Sequence, residues 1–312
     1  MKSKNNFPKV LIGLLNWNEI SYTLGCIKSL EKMDYKNYEI LVLDNGSKED
    51  SVIKLKKLEE EGRISLILKK KNFGFTGGNN RIIEYSLKNK KFDYLLLLNN
   101  DTLVEKDFLR KQINFMEKTP NAGVVGPIIF RNKKEINWDN SPGVFNLVIG
   151  GARLYPNWKN LINNLESPIK VDYVSGCSWL IKKEVLEKTK GFKEKYFIYN
   201  EEIEWAYRIN KLGYSFYLHP KSKIYHIGHG SVKKFSGFQL YYNIRNIIWF
   251  EREYARKKEY IQFFIFLFLY KFPKTLIRIL MEKEDSGKKI KKYLSGIWEG
   301  LSEKRESFIL RR

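Results

Sequence analysis

The amino-acid sequence predicts an α/β fold with a mostly parallel central sheet, and three observations carry that reading. Between Lys9 and about His229, short apolar runs alternate with segments of helical periodicity. The run Tyr94-Leu95-Leu96-Leu97-Leu98 has the unbroken apolar character of a strand covered on both faces. Several runs stop abruptly at Asn, Asp and Gly, and open α/β sheets hold ligands outside the carboxyl ends of their strands.

Taken in order, Val10 to Leu15 is a first strand ending at Asn16-Trp17-Asn18, followed by a helix from Ser21 to Met33. Glu39 to Leu43 is a second strand, ending at Asp44-Asn45-Gly46-Ser47 before a charged helix near Ser51 to Glu61. Ile64 to Leu68 is a third; the Gly/Asn-rich turn Asn72 to Asn80 then leads into a helix from about Asn79 to Lys88. Tyr94 to Leu98 is the fourth, delivering Asn99-Asn100-Asp101. From Asn132 to Ser167 the chain is loop-rich, with Pro142, Gly143, Gly150, Gly151 and Pro156 among Trp138, Phe145, Tyr155 and Trp158, as in a binding loop. Beyond Gly237 the pattern turns helical, aromatic and basic, which divides the chain into a domain of residues 7–235 and a helical module of residues 236–312.

Composition narrows the partners. The 312 residues hold 57 Lys+Arg against 35 Asp+Glu, a net charge of +22 that favours anionic partners. Only Cys26 and Cys177 occur, without metal-ligand spacing, and are read as reduced, buried thiols of a cytosolic protein. No export signal is read at the amino terminus, and the apolar run Ile261 to Tyr270, closed by Lys271 and Pro273, is too short to span a bilayer.

Each candidate motif has a plain alternative as a turn or cap; convergence on one sheet edge is what favours a ligand. Asp101 at a strand's end can hold a divalent cation, and through it a phosphate. Asp44 can accept hydrogen bonds from a base or ribose, with Gly46 permitting the tight turn. The glycine turn lets backbone approach a pyrophosphate, although it is neither GxxxxGK[ST] nor GxGxxG. Glu201 and Glu202 open a helix after the aromatic run Tyr196 to Tyr199; they complement its dipole or, partly desolvated, serve as a general base. Of three histidines, His219 precedes Pro220 in a turn, and His226 follows an apolar segment; an imidazole beside a carboxylate can hold Mg²⁺ or Mn²⁺ when a diphosphate adds oxygens.

In this order the segments resemble glycosyltransferase family 2, inverting enzymes of the GT-A fold, and in particular its rhamnosyltransferase-like members of surface polysaccharide synthesis. The likeness rests on Asn16-Trp17-Asn18, Asp44 to Ser47, Asn72 to Asn80, Leu98 to Asp101, Val174-Ser175-Gly176, Gly191-Phe192, Glu201-Glu202, Tyr225-His226 and Tyr242 to Asn246, over roughly four-fifths of the chain. The resemblance implies that Asp44 contacts the nucleotide base and that Asp101, the last position of the DxD motif, binds Mg²⁺ or Mn²⁺ together with His226. It makes Glu202 the catalytic base, with Glu201 one position away as the competing choice. Asn16, Asn18, Asn72, Gly77, Gly78, Asn79, Asn99 and Arg245 then line the nucleotide sugar, with Lys233 and Lys234 also candidates for the phosphates, while Gly176 and Trp179 face the acceptor. Three departures stand out: Asn99 replaces the first acid of DxD, Ile82 stands where relatives often have glycine, and Glu202 is one methylene longer than the usual aspartate.

The function so implied is transfer of a sugar from a nucleotide-diphosphate donor, dTDP-rhamnose or a UDP-hexose, to a glycan or lipid-linked glycan. The competing reading, a basic nucleic-acid-binding protein, lacks any recognisable motif for gripping a phosphate backbone, so nucleic acid is not an expected partner. The carboxy-terminal module is expected to lie on an anionic membrane surface, at the inner face of the cell membrane. Its alternatives are packing on the catalytic domain or on a second subunit, as in a homodimer.

Overall fold

β1 (Val10–Asn16) is apolar and buried because it has a strand on each side: β2 (Tyr38–Asp44) and β4 (Tyr94–Asn99) both pair with it in parallel. β3 (Ser65–Leu68) extends the parallel set beyond β2. Helices α1 (Ile20–Leu30), α2 (Glu49–Glu60) and α3 (Gly74–Lys88) connect these strands. The computed structural model describes residues 7–89, 91–132, 135–136, 142–227, 236–282 and 284–302.

Past β4 the sheet becomes mixed. Short β5 (Thr102–Val104) and α4 (Phe108–Lys118) lead to β6 (Ala122–Phe130), then to a two-stranded ribbon of β7 (Gly143–Phe145) and β8 (Ala152–Leu154). The one-turn helix α5 (Trp158–Leu161), β9 (Ile169–Val171), β10 (Ser178–Lys182), α6 (Lys183–Thr189), α7 (Glu201–Lys211) and β11 (Ser215–His226) follow. The nine-stranded sheet runs β3-β2-β1-β4-β10-β6-β11-β5, with β9 also on β11. β10 is antiparallel to both its neighbours, and β11 is parallel to β6 and antiparallel to β5. From β1 the chain builds outward through β2 and β3, then returns to β1's other side with β4. That reversal opens a crevice at the strands' carboxyl ends, where ligands of such sheets bind.

Two local expectations are revised. α3 starts at Gly74, five residues before the expected Asn79, because Asn72 Oδ1 accepts from the Gly74 amide (2.7 Å) and starts the helix. His219 and Pro220 lie inside β11 rather than in a turn; the register shifts between His219 and Lys223, and such an irregularity accommodates proline, which has no amide to donate.

The polypeptide divides into two compact units, one of residues Met1–Gly143, Leu154–Phe197 and Trp205–Gly228, the other of Val144–Arg153, Ile198–Glu204 and His229–Arg312. The expected division after residue 235 is a single cut, whereas the second unit also takes in two short segments from earlier in the chain. The first unit centres on β1, β2 and β4 with α1 and α4. The second has its own core, in which α8 (Gly237–Tyr254) packs with α9 (Lys257–Phe266), α10 (Phe272–Glu282) and α11 (Ser286–Ser302) through Ile244, Ile248, Phe263, Leu267, Ile279 and Tyr293. The apolar run does not stop at Lys271: a π turn, Leu267–Lys271, joins α9 to α10, and the Phe272 amide reaches back to Leu267 O. This widened turn lets the helix continue into Pro273, which sits in the first turn of α10. No helix among the described residues is long and apolar enough to cross a membrane.

Candidate active site

In the first unit, register brings three strand ends together: Asn16 pairs with Asp44, and Leu15 with Asn99. A hydrogen-bond relay crosses them. Asn16 Nδ2 donates to Asp44 Oδ2 (2.8 Å), Thr23 Oγ1 donates to Asn16 Oδ1 (2.7 Å), and Asn100 Nδ2 donates to Thr23 Oγ1 (2.8 Å). Asp44 Oδ1 accepts from the Ser47 amide (2.9 Å), and Asn16, Thr23 and Asp44 are fully buried. A carboxylate offers about four acceptor positions, so these two hydrogen bonds leave Asp44 with unused lone pairs, on a side chain that is closed off from solvent here. Thr23 escaped the sequence reading; its only signal is a hydroxyl one turn into the helix that follows a polar strand end.

Asn18, in left-handed conformation (φ 62°), clips the first two loops together: its amide donates to Ser47 Oγ and its Oδ1 accepts from the Lys48 amide, both at 2.8 Å. Gly46 (φ 81°) is required at its turn, since a Cβ there would lie 2.8 Å from the Lys71 backbone. Asn72 Oδ1 also accepts from Asn45 Nδ2 (2.9 Å), joining the second loop to the start of α3. Gly77 and Gly78 are buried inside α3, where a Cβ would strike Phe73 at 2.8 Å and Leu15 at 2.5 Å respectively. Packing alone therefore accounts for both glycines. Asn79 Nδ2 donates to Phe75 O (2.9 Å), while Asn80, to which the sequence assigned no separate role, exchanges two 2.9 Å hydrogen bonds with the Phe192 backbone.

The Asp101 pair forms because β5 turns directly off β4 and pairs with β11, setting His226 opposite Thr102. His226 Nε2 lies 3.1 Å from Asp101 Oδ1, and apart from that imidazole the buried oxygen has no hydrogen-bond partner among the described residues. A divalent cation fits this pair. In an octahedral shell with bonds of roughly 2.1 Å, neighbouring ligands stand about 3.0 Å apart. Among the described residues no cluster of three or more His, Cys, Asp and Glu could hold a metal, so a cation at this pair would take its other ligands from a bound molecule or water. Asn99 contributes backbone order: its amide donates to Cys177 O (2.9 Å), and its carbonyl accepts from Thr102 Oγ1 (2.7 Å). His219 is a packing histidine: burial and the Lys111 charge press its pKa down to about 4, and its ring meets Phe115 edge-on.

Gly176 is buried beside β10. Trp179, expected on the acceptor side, is 1% exposed; it packs among Phe192, Trp205 and Phe216 and donates from its indole to Val174 O (3.0 Å). It is a core residue because β10 is an interior strand, covered on both faces.

The second unit holds the acids. Tyr199 (φ 68°) and Asn200 (φ 62°) are left-handed, a strain that persists only when neighbours enforce it. α8 supplies the enforcement: Asn246 Nδ2 donates to Ile198 O (2.9 Å) and Tyr199 O (2.7 Å), and Asn200 Nδ2 donates to Asn243 Oδ1 (3.2 Å). Glu201 is 6% exposed, and its Oε2 is without a hydrogen-bond partner among the described residues. Burial, reinforced by the neighbouring Glu202 charge, pushes its carboxyl up to about 8. Glu202 is half-buried, and Glu204 is buried and accepts from Tyr254 OH. Arg245, expected at the phosphates, is 6% exposed, its guanidinium boxed by Tyr241, Tyr242 and Trp249 and paired with Glu299 Oε1 at 3.1 Å. An arginine in an aromatic helix reads equally well either way; here the rings and Glu299 hold it. Lys233, Lys234, His229 and Trp138 lie outside the described residues.

Known proteins resemble this chain in sequence and in fold. A hexosyltransferase of low-salt glycan biosynthesis from Haloferax volcanii, Agl10, is 30% identical over 173 residues, covering 55% of this chain and 53% of its own length. The chain thus matches about half of that relative. Rhamnosyltransferase WbbL of Escherichia coli is 24% identical over 240 residues, 74% of this chain and 88% of its own. Among solved structures, GalNAc-T7 with UDP, GalNAc and Mn²⁺ superposes with a TM-score of 0.65 at 17% identity, covering 82% of this chain and 50% of that one. Mannosyltransferase PcManGT of Pyrobaculum calidifontis, in complex with GDP-Man and Mn²⁺, superposes with a TM-score of 0.57 at 14% identity, covering 95% and 85%. These neighbours establish the GT-A fold. The sequence model described as Glycosyl transferase family 2 matches residues 12–190, more than half of the chain and every strand end of the crevice, and on that ground the chain belongs to glycosyltransferase family 2.

Proposed function

We propose that the chain transfers a hexose or deoxyhexose from a nucleotide-diphosphate sugar, dTDP-rhamnose or a UDP-hexose, to a glycan or lipid-linked glycan, with inversion at the anomeric carbon. The observation that carries the proposal is the meeting of Asp44, Asn16 and Asn99 to Asp101 at one sheet edge, with His226 3.1 Å from Asp101. Asp44 accepts from the donor's base or ribose, held in place by Asn16 and Ser47. Asp101 and His226 would hold Mg²⁺ or Mn²⁺, whose charge stabilises a departing diphosphate.

Glu202 takes the acceptor hydroxyl's proton as its oxygen attacks the anomeric carbon opposite the leaving group. A general base must be ionised at working pH, and Glu201, which keeps its proton up to about pH 8, suits that task poorly. Glu201 supports its neighbour by staying neutral, so that the adjacent carboxyls do not both carry charge.

A panel of nucleotide sugars assayed for nucleoside diphosphate release tests the reading, with Mn²⁺, with Mg²⁺ and with chelator. Release from one or a few donors, stopped by chelation and giving a product of inverted anomeric configuration, is the expected result. Turnover of none, or a retained configuration, contradicts it.

A further inference from the structure

The C-terminal helices have more apolar surface than their own core uses. Phe263, Leu267, Ile279, Tyr293 and Ile297 point inward and are buried. Yet Ile265, Leu269, Ile277, Leu280 and Met281 of the α9–α10 segment are exposed, Leu269 and Met281 to 78% and 76%. α11 repeats the pattern: Leu294, Trp298 and Leu301, spaced four and three apart on one face, are exposed, Trp298 to 74%. A helix in a water-soluble unit needs one apolar face; a second marks a surface that something else covers.

The charges around it identify that occupant. Residues 236–302 hold thirteen Lys and Arg against seven Asp and Glu. Exposed Lys257, Lys258 and Lys291 have no carboxylate partner among the described residues, and Lys291 lies on the same helix face as Leu294 and Trp298. A second copy would bring two positive surfaces together within a chain of net charge +22. A bilayer with anionic headgroups satisfies both features, taking up apolar side chains while meeting the lysines with phosphate, and indole is well suited to that boundary.

We propose that the outer faces of α9, α10 and α11 dock on an anionic lipid bilayer. Ile265, Leu269, Ile277, Met281, Leu294 and Trp298 enter the boundary between headgroups and acyl chains. The lysines lie against lipid phosphates. This inference does not depend on the proposed sugar transfer.

Flotation of the full chain with vesicles of phosphatidylcholine, alone or mixed with phosphatidylglycerol, tests it beside a vesicle-free control. The chain should rise with the mixed vesicles and stay down with phosphatidylcholine alone. Joint Leu294→Ser and Trp298→Ser, or joint Ile277→Ser and Met281→Ser, should lower partitioning about tenfold or more. Because these side chains are exposed, the melting temperature should be unchanged, so loss of folding cannot imitate the result. A chain that ignores the mixed vesicles overturns the proposal, as does undiminished flotation of both double variants. If sedimentation shows instead a dimer that the same substitutions dissolve, the face belongs to a second copy and the lipid assignment is wrong.

Discussion

Thr23 is the joint of the relay that runs from Asp44 through Asn16 to Asn100, beside Asp101. Thr23→Val keeps the shape and removes the hydroxyl, leaving Asn16 Oδ1 and Asn100 Nδ2 without that partner. We expect a stability loss of about 1–3 kcal/mol and a roughly tenfold rise in donor KM, both largely restored by Thr23→Ser. Wild-type kinetics in the valine variant would show that the relay positions nothing. Glu202→Gln should lower kcat about a hundredfold or more while donor KM stays near wild type; retained transfer would remove Glu202 from the mechanism. Glu201 makes a pH prediction of definite sign. Its carboxyl rises from 4.5 to about 8 on folding, so its contribution to stability is intact below about pH 4.5 and is lost as pH climbs through about 8. Thermal melts across that window should decline with pH in the wild type and flatten in Glu201→Gln. Equal slopes would refute the assignment.

At the scale of elements, α3 lies so close on β1 that side chains on one require glycine on the other. A Cβ on Gly13 would stand 2.3 Å from Ile82 Cγ2, and Gly78 faces Leu15. Thus the Ile82 departure from the family pattern is matched by Gly13 beneath it. Gly78→Ala should cost about 1–3 kcal/mol by overpacking, measurable by denaturant unfolding. The leucine-rich strands were legible in the sequence because burial on both faces leaves no polar interruption. β5 was not, since three residues carry no period, and the early start of α3 was hidden because glycines that pack tightly look like turn glycines. Trp179 and Arg245 misled for related reasons: neither strand alternation nor residue type shows whether an aromatic ring or a cation faces a ligand or a core. The Asn243 and Asn246 signature was visible without its cause, namely two amides fastening the strained backbone before Glu201. Asn246→Ala should therefore destabilise by about 1–3 kcal/mol, read by thermal melting, through unpaired carbonyls at Ile198 and Tyr199.

For the whole molecule, a charge of +22 was ambiguous among anionic partners, and the family match favours nucleotide phosphates over polynucleotides. Lipid phosphates, as proposed for the helical unit, would engage a different set of lysines, so each partner can be tested without disturbing the other. The central claim is that the crevice at the carboxyl ends of β1, β2 and β4 binds a nucleoside diphosphate with the help of a cation held by Asp101 and His226. Calorimetric titration of UDP, dTDP and GDP into the full chain, with and without Mn²⁺, tests it most directly. The account predicts Mn²⁺-dependent binding of at least one nucleotide, weakened about tenfold or more in both Asp101→Asn and His226→Ala. Binding that ignores Mn²⁺ and survives both substitutions, or no binding of any nucleotide, would contradict it.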